Sequence, residues 1–270
     1  MKIHGTAKGG AVSKKDFGVA FGGAATPDPF SDDSDLKGYW KFNETSGDVE
    51  NVSESDETVG ASGDIQITGA TYNQSSGITN IDYSMLFDGT NDFGVFGSSL
   101  TDWKFFHDSS TIHTTINFWA ALPTTAADDE YFFSIIKTDA GFGFLLRYKG
   151  NQLAYEVNSG SGDNRLVDQK TNSFVGLDTN WHMYTVQFDF SLADTNYTVF
   201  RDANNEANGN KIANTAGTSN SSNALTIAAD FDEEKFGNFY ICELSIWDRI
   251  LTDDEIEELY NSGDGLPIYQ

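Results

Sequence analysis

The stretch GNFYICELSIWDRILTDDEIEELYNSG (residues 237–263) changes character halfway along. Up to Trp247 it is an apolar, aromatic run, FYICELSIW, with the composition that fills a pleated surface. After Asp248 the pattern becomes helical. Thr252 stands as an N-cap with Glu255 three residues on, acids fill the first turn, and Gly263 follows as a stop. One strand running into one short helix makes the preceding 236 residues the question.

Working back along the chain, short runs of the same texture recur. They are GDIQITGATY, YSMLFDG, FGVFG, TTINFWAAL, EYFFSIIKT, GFGFLLRY, QLAYEV, HMYTVQFDF, NYTVFRD and ALTIAAD, separated by clusters of Gly, Asn, Asp and Ser. In HMYTVQFDF the alternation puts Met183, Thr185, Gln187 and Asp189 on one face, and Tyr184, Val186, Phe188 and Phe190 on the other. Many close strands without intervening helices predict an all-β fold, an antiparallel jelly-roll sandwich over 36–270 with a short C-terminal helix. No repeat at a fixed period is present, which argues against a propeller or solenoid.

Charge divides the chain. Residues 1–26 carry Lys2, Lys8, Lys14 and Lys15 against the single acid Asp16, whereas the whole chain has a formal net charge of −25. The segment 1–35 combines glycine pairs and breakers with spaced apolar residues, Ile3, Val12, Phe17, Val19, Ala20 and Phe21. It cannot bury enough apolar surface to fold alone. It is expected to be an extended N-terminal arm that docks elsewhere through Lys8, Lys14, Lys15, Phe17 and Phe21. The acidic body is a poor partner for nucleic acid, because phosphate binding needs clustered Lys and Arg.

Cys242 is the sole cysteine, so no intrachain disulfide forms, and its apolar setting predicts a buried, inert thiol. No apolar stretch of signal-peptide type follows Lys2, and no run is long enough to span a membrane.

Four stretches in order, GYWKFNETSGD (38–48), SMLFDGTNDFGVFG (84–97), TTINFWAAL (114–122) with NWHMYTVQFD (180–189), and 237–263, carry a resemblance. Together they resemble the laminin-G-like and pentraxin-like group of concanavalin-A-type jelly rolls, over about residues 36–263. Trp40, Trp119, Trp181 and Trp247 are expected to bury between the sheets. Trp103, in the loop SLTDWKFFHD, is the expected exception, an exposed ligand contact together with Phe105 and His107.

The resemblance also raises calcium, held in such folds by loop oxygens at one rim. Similarity nominates Asp139 in KTDAGFG and Asp230, Asp232, Glu233 and Glu234 in AADFDEEKFG, although this second loop is shorter than the pentraxin pattern. A second set is Asp88 and Asp92 in FDGTND, where Asp88 and Asn91 are also expected to bond turn amides. A solvated carboxylate is the plainer alternative for each. His4, His107, His113 and His182 lack the spacing of a zinc site.

Some concanavalin-A-type sandwiches are glycosidases with two carboxylates along one strand. Here Glu243 and Asp248 fall on opposite faces under strict alternation, and neither a serine nucleophile elbow nor a phosphate loop is present. An enzyme is not expected.

Three functions follow. The first is a virion structural or decoration protein: the arm, which resembles the amino-terminal segments of marine viral structural proteins, anchors a homo-oligomer to capsid or tail. Its lectin-like sandwich then faces outward toward cell-surface glycans. The second is a free calcium-dependent lectin, the third a glycoside hydrolase. Five Asn-X-Ser/Thr sequons, at 43, 51, 73, 196 and 220, are expected to be chance in so Asn- and Ser/Thr-rich a chain.

Overall fold

The computed structural model describes residues 30, 32–53, 63–96, 103–107, 112–124, 130–135, 143–149, 153–158, 165–170, 177–209, 224–230 and 232–269. Fifteen strands and one α-helix lie among them. The first sheet has the order β13-β12-β11-β6-β15-β4-β3, with β1 also paired to β15. Its strands are β1 (Leu36–Trp40), β3 (Thr71–Ile78), β4 (Ile81–Asp88), β6 (His113–Ala121), β11 (His182–Asp189), β12 (Tyr197–Arg201), β13 (Asn204–Gly209) and β15 (Asn238–Trp247). The second has the order β10-β9-β8-β7-β14-β5-β2. It comprises β2 (Ile65–Thr68), β5 (Phe93–Phe96), β7 (Glu130–Ser134), β8 (Gly143–Tyr148), β9 (Leu153–Asn158), β10 (Arg165–Lys170) and β14 (Leu225–Ile227). Neighbouring strands pair antiparallel throughout, which is the expected sandwich.

The main core fills the space between the sheets with side chains from both, including Trp40, Phe87, Phe96, Phe118, Phe133, Phe144, Tyr184, Phe188 and Ile246. The alternation of β11 holds: Tyr184, Val186, Phe188 and Phe190 point into this core, and Met183 to the other side. That other side is also dry. A second cluster on the outer face of the first sheet joins Tyr39, Ile81, Trp119, Met183, Cys242 and Trp247 to Ile256, Leu259 and Ile268. Helix α1 (Asp253–Tyr260) and the tail beyond it lie over this face, so the central strands of the sheet are buried on both sides. Trp119 and Trp247 therefore bury outside the sandwich, not between the sheets as expected. Cys242 is fully buried, and burial pushes its thiol well up.

Helix α1 begins as its sequence requires. Thr252 Oγ1 accepts from Glu255 N–H at 3.3 Å, and Glu255 Oε2 accepts from Thr252 N–H at 2.7 Å. Arg249 reaches the same carboxylate at 2.7 Å and Asp33 at 2.6 Å, tying the segment before β1 to the helix start. Phe30 is buried edge-on to Trp247, so packing on the body begins before β1. The helix ends at Asn261 in the left-handed region (φ 48°), two residues before the glycine expected to stop it.

Besides β1, whose residues enter only through the resemblance, three strands lie outside the predicted list: β10, β13 and most of β3. Each is the edge strand of its sheet. An edge strand with two polar faces shows no apolar alternation, and polar edges are how sheets resist pairing with other chains.

Candidate functional site

Three of the acids expected to bind calcium, Asp88, Asp92 and Asp230, are engaged by their own turns. In the loop after β14, Asp230 Oδ1 accepts from the N–H groups of Glu234 (2.8 Å) and Lys235 (3.1 Å). Asp230 is buried, while Asp232, Glu233 and Glu234 are exposed at the loop's tip. Asp139 lies outside the described residues. Between β4 and β5, Asp88 Oδ1 accepts from Thr90 N–H at 2.8 Å, and Asp92 Oδ2 accepts from Asp88 N–H at 3.0 Å. Asp88 thus plays its expected part, and buried Asp92 closes the turn beside it. Asp92 also lies against Gly69 (φ +85°), where an added Cβ would stand 2.1 Å from Oδ1. Among the described residues no three carboxylate, histidine or cysteine side chains converge on a metal position. The described acids alone therefore do not fit the six to eight oxygens that calcium takes.

Trp103, Phe105 and His107 are not an exposed contact. Trp103 is 2% exposed and His107 1%, while Phe105 is partly buried and packs against the main core. A short 3-10 turn, Lys104–Phe106, carries these rings. Trp103 meets Phe96 edge-on at 5.5 Å, and Phe106 stacks on Phe144 at 5.0 Å. Four aromatic rings in five residues form a plug, because that much apolar area is too costly to leave in water. Trp181 takes the intermediate position instead, half-buried against Tyr240. The arm residues Lys8, Lys14, Lys15, Phe17 and Phe21 lie outside the described residues. Of the sequon asparagines, Asn51 and Asn196 are buried; Asn51 accepts from Tyr39 N–H, and Asn196 donates to the Asp189 and Leu192 carbonyls.

The arrangement with chemical potential sits where sequence reasoning did not place a site. Along one edge of β15, β4 pairs with Asn238–Ile241 and β1 with Leu244–Trp247. Cys242 and Glu243 fall between the two partners. On the other edge, Cys242 pairs Trp119 and Ser245 pairs Asn117, so β15 carries one extra residue here. That is a β-bulge, a device that re-aims a side chain. Glu243 takes φ 51°, in the left-handed region that costs a non-glycine residue about 1–2 kcal/mol. Such outliers persist where surroundings hold them and recur at functional sites.

Glu243 lines a cleft of about 580 Å³. The other walls come from Lys41 and Asn43 after β1, from Asn80–Tyr83 at the start of β4, and from Leu266, Pro267 and Tyr269 of the tail. Tyr83 is 46% exposed, one of two large apolar side chains left in solvent among the described residues. Below them the Tyr39 hydroxyl donates to Glu243 Oε2 and accepts from Ile268 N–H (3.1 Å), while its ring stacks with Tyr269 at 5.8 Å. Glu243 is 7% exposed, and burial raises its carboxyl to about 8. Burial also lowers the Lys41 ammonium, whose charge partner is Glu44 and not Glu243. The carboxyl is therefore a neutral acid at pH 7, because a buried carboxylate without a cation is costly. The available signal was an acid in the middle of a ten-residue apolar strand.

A second polar group lies at the hairpin between β12 and β13. His182 Nδ1 bonds Asp202 Oδ2 at 2.6 Å, and Asp202 Oδ1 accepts from Met183 N–H at 3.0 Å. The bond to Asp202 raises the His182 imidazole. The other ring nitrogen, Nε2, meets Asp178 at 3.4 Å just before β11, so the imidazole fastens the hairpin turn to the approach of its neighbour strand.

Residues 97–257 match the Concanavalin A-like lectin/glucanases superfamily, laminin-G type, more than half of the chain, and the chain belongs to that superfamily. No curated protein matches it in sequence. Among solved structures it is similar to the binding domain of botulinum neurotoxin DC in complex with SialylT (14% identity, TM-score 0.57, covering 86% of this chain and 52% of that one). It is similar also to the binding domain of Paraclostridial Mosquitocidal Protein 1 (16% identity, TM-score 0.57, 86% and 53%). A third similar structure is the Trypanosoma rangeli sialidase (13% identity, TM-score 0.55, 86% and 33%). The chain spans about half the length of the toxin binding domains, and at these identities the likeness is one of fold.

Proposed function

We propose that this chain is a non-catalytic recognition module that binds saccharide in the cleft beside Glu243. The part of the N-terminal arm that precedes the packed Phe30 docks it to other structural proteins of a virus particle, and the sandwich is displayed outward as one unit of a homo-oligomer. The observation that carries the binding reading is Tyr83, nearly half exposed on the wall of a polar cleft that also holds Tyr269, Asn43 and Asp82. An aromatic face for the apolar side of a sugar ring, beside a few placed polar groups, is what such ligands need. Membership of a lectin and glucanase superfamily supports it, as does likeness of fold to a botulinum neurotoxin binding domain in complex with SialylT. The display reading rests on the arm, basic against an acidic body and studded with apolar anchors.

Two measurements test the two halves. A saccharide panel is titrated by calorimetry against the wild type and Tyr83→Ala. Binding weakened at least tenfold by the substitution supports the cleft, and unchanged binding overturns it. Light scattering then compares the full chain with a version beginning at Pro27, which keeps the packed Phe30 and Asp33. A defined oligomer that falls to monomer supports docking through the arm; identical monomers leave the free lectin as the better reading. Binding abolished by chelation would return calcium to the loops of Asp139 and Asp230–Glu234. Release of reducing sugar would overturn the non-catalytic reading.

A further inference from the structure

The Glu243 carboxyl is held from one side only. Tyr39 Oη donates to Oε2, and Oε1 has no partner among the described side chains and backbone groups, although the residue is more than nine-tenths buried and lines the cleft. With Oε2 accepting from Tyr39, the acid's own proton belongs on Oε1. Tyr39 is itself fixed by Ile268 N–H and the Tyr269 ring, so the carboxyl is oriented before any ligand arrives. The bulge and the left-handed backbone of Glu243 place it where β4 and β1 part.

We propose that Glu243 acts as a neutral carboxylic acid whose Oε1–H donates to an oxygen of a bound neutral sugar, so that ligand is held at neutral pH and released in the alkaline range. This rests on the reading of the cleft as a saccharide site. The charge of the lining points to a neutral sugar over an acidic or amino sugar. Besides Glu243 the lining holds one lysine, Lys41, and one aspartate, Asp82, so its formal charge is balanced, and the −25 of the whole chain disfavours an anionic ligand. An ammonium would need the floor ionised. The other titratable groups facing the cleft are Tyr83 from β4, Tyr269 from the tail and Tyr39 from β1, with the buried Cys242 thiol adjacent on β15.

The experiment titrates neutral, carboxylated and amino monosaccharides against wild type, Glu243→Gln and Lys41→Met at pH 6, 7, 8 and 9. The Glu243 side-chain carbon is followed by NMR in the free protein. Wild type should bind the neutral sugars and lose about tenfold in affinity from pH 7 to pH 9, as the competent, protonated fraction falls. Glu243→Gln, isosteric and permanently neutral, should bind at pH 7 within a few fold of wild type and show no loss at pH 9. Lys41→Met should keep the wild-type pH profile. A Gln variant that still follows the wild-type profile overturns the proposal while leaving the saccharide reading intact. So does a carboxyl that titrates in the ordinary range, or amino sugars that bind more tightly above pH 8. Failure of wild type to bind any sugar at any of these pH values removes the saccharide reading and this inference with it.

Discussion

Asp230 and Glu243 are both buried acids of the same sandwich, and the fold treats them in opposite ways. Asp230 stands in a turn that bends round it, and two backbone N–H groups converge on one of its oxygens. Glu243 stands on a central strand between two neighbours that have parted, with one tyrosine hydroxyl for a partner. The first acid organises backbone, as Asp does wherever its short side chain can reach the amides that follow it. The second is organised by its surroundings and gives nothing back to the strand. A buried acid with its bonds satisfied locally is part of the fold, whereas one kept neutral at the floor of a cleft is available to something else.

The sharpest way to break this contrast is the pH dependence of stability. An unfolded Glu ionises near its ordinary value of 4.5, whereas Glu243 in the fold holds its proton to about 8. Between those values the unfolded state loses a proton that the folded state keeps, so this residue lowers stability progressively as pH rises from 4.5 to 8. Glu243→Gln removes the effect. The variant should match wild type at pH 4 and exceed it at pH 9 by on the order of 4 kcal/mol, read by urea denaturation at each pH. Equal stabilities at pH 9 would mean that Glu243 is as well satisfied as Asp230.

Asp230→Ala should act in the other direction, lowering stability. Removing the acceptor leaves two part-buried amides unpaired and empties the buried position of the Asp230 side chain, at about 1–3 kcal/mol. Circular dichroism during denaturation measures it, and a loss under about 0.5 kcal/mol would make Asp230 a spectator. Glu255→Ala comes next, at about 1 kcal/mol, because it loses part-buried bonds to Arg249 and the exposed capping bond to Thr252 at a helix start.

The same contrast explains what could be read from the chain. The sandwich was legible because its central strands are apolar in alternation, and because capping residues such as Thr252 and Glu255 act within four positions of each other. The Asp88 turn was legible for the same local reason. The cleft was not. Strict alternation puts Glu243 on a fixed face relative to Asp248, but the bulge at Cys242–Glu243 inserts an extra residue without a glycine to announce it. The other walls of the cleft also come from separate parts of the chain, the segment after β1, the start of β4 and the tail. Trp103 failed differently: a loop position read as exposure, when its ring belongs to the core of both sheets.

The smallest expected effect is the most exacting test of the rule. Asp88 and Asp92 are four residues apart in one turn, and each accepts a single backbone N–H, at 2.8 and 3.0 Å. Composition and bond count do not distinguish them. Burial does, since Asp88 is exposed and Asp92 is not. When Asp88 is lost, water replaces it at Thr90 N–H, so Asp88→Ala should cost no more than about 0.5 kcal/mol. When Asp92 is lost, the Asp88 N–H and the space against Gly69 are left without a partner, so Asp92→Ala should cost about 1–3 kcal/mol. Chemical denaturation of the pair reads the difference directly. Equal losses would show that the turn responds to hydrogen-bond number alone, and the distinction drawn between Asp230 and Glu243 on burial and satisfaction would lose its basis.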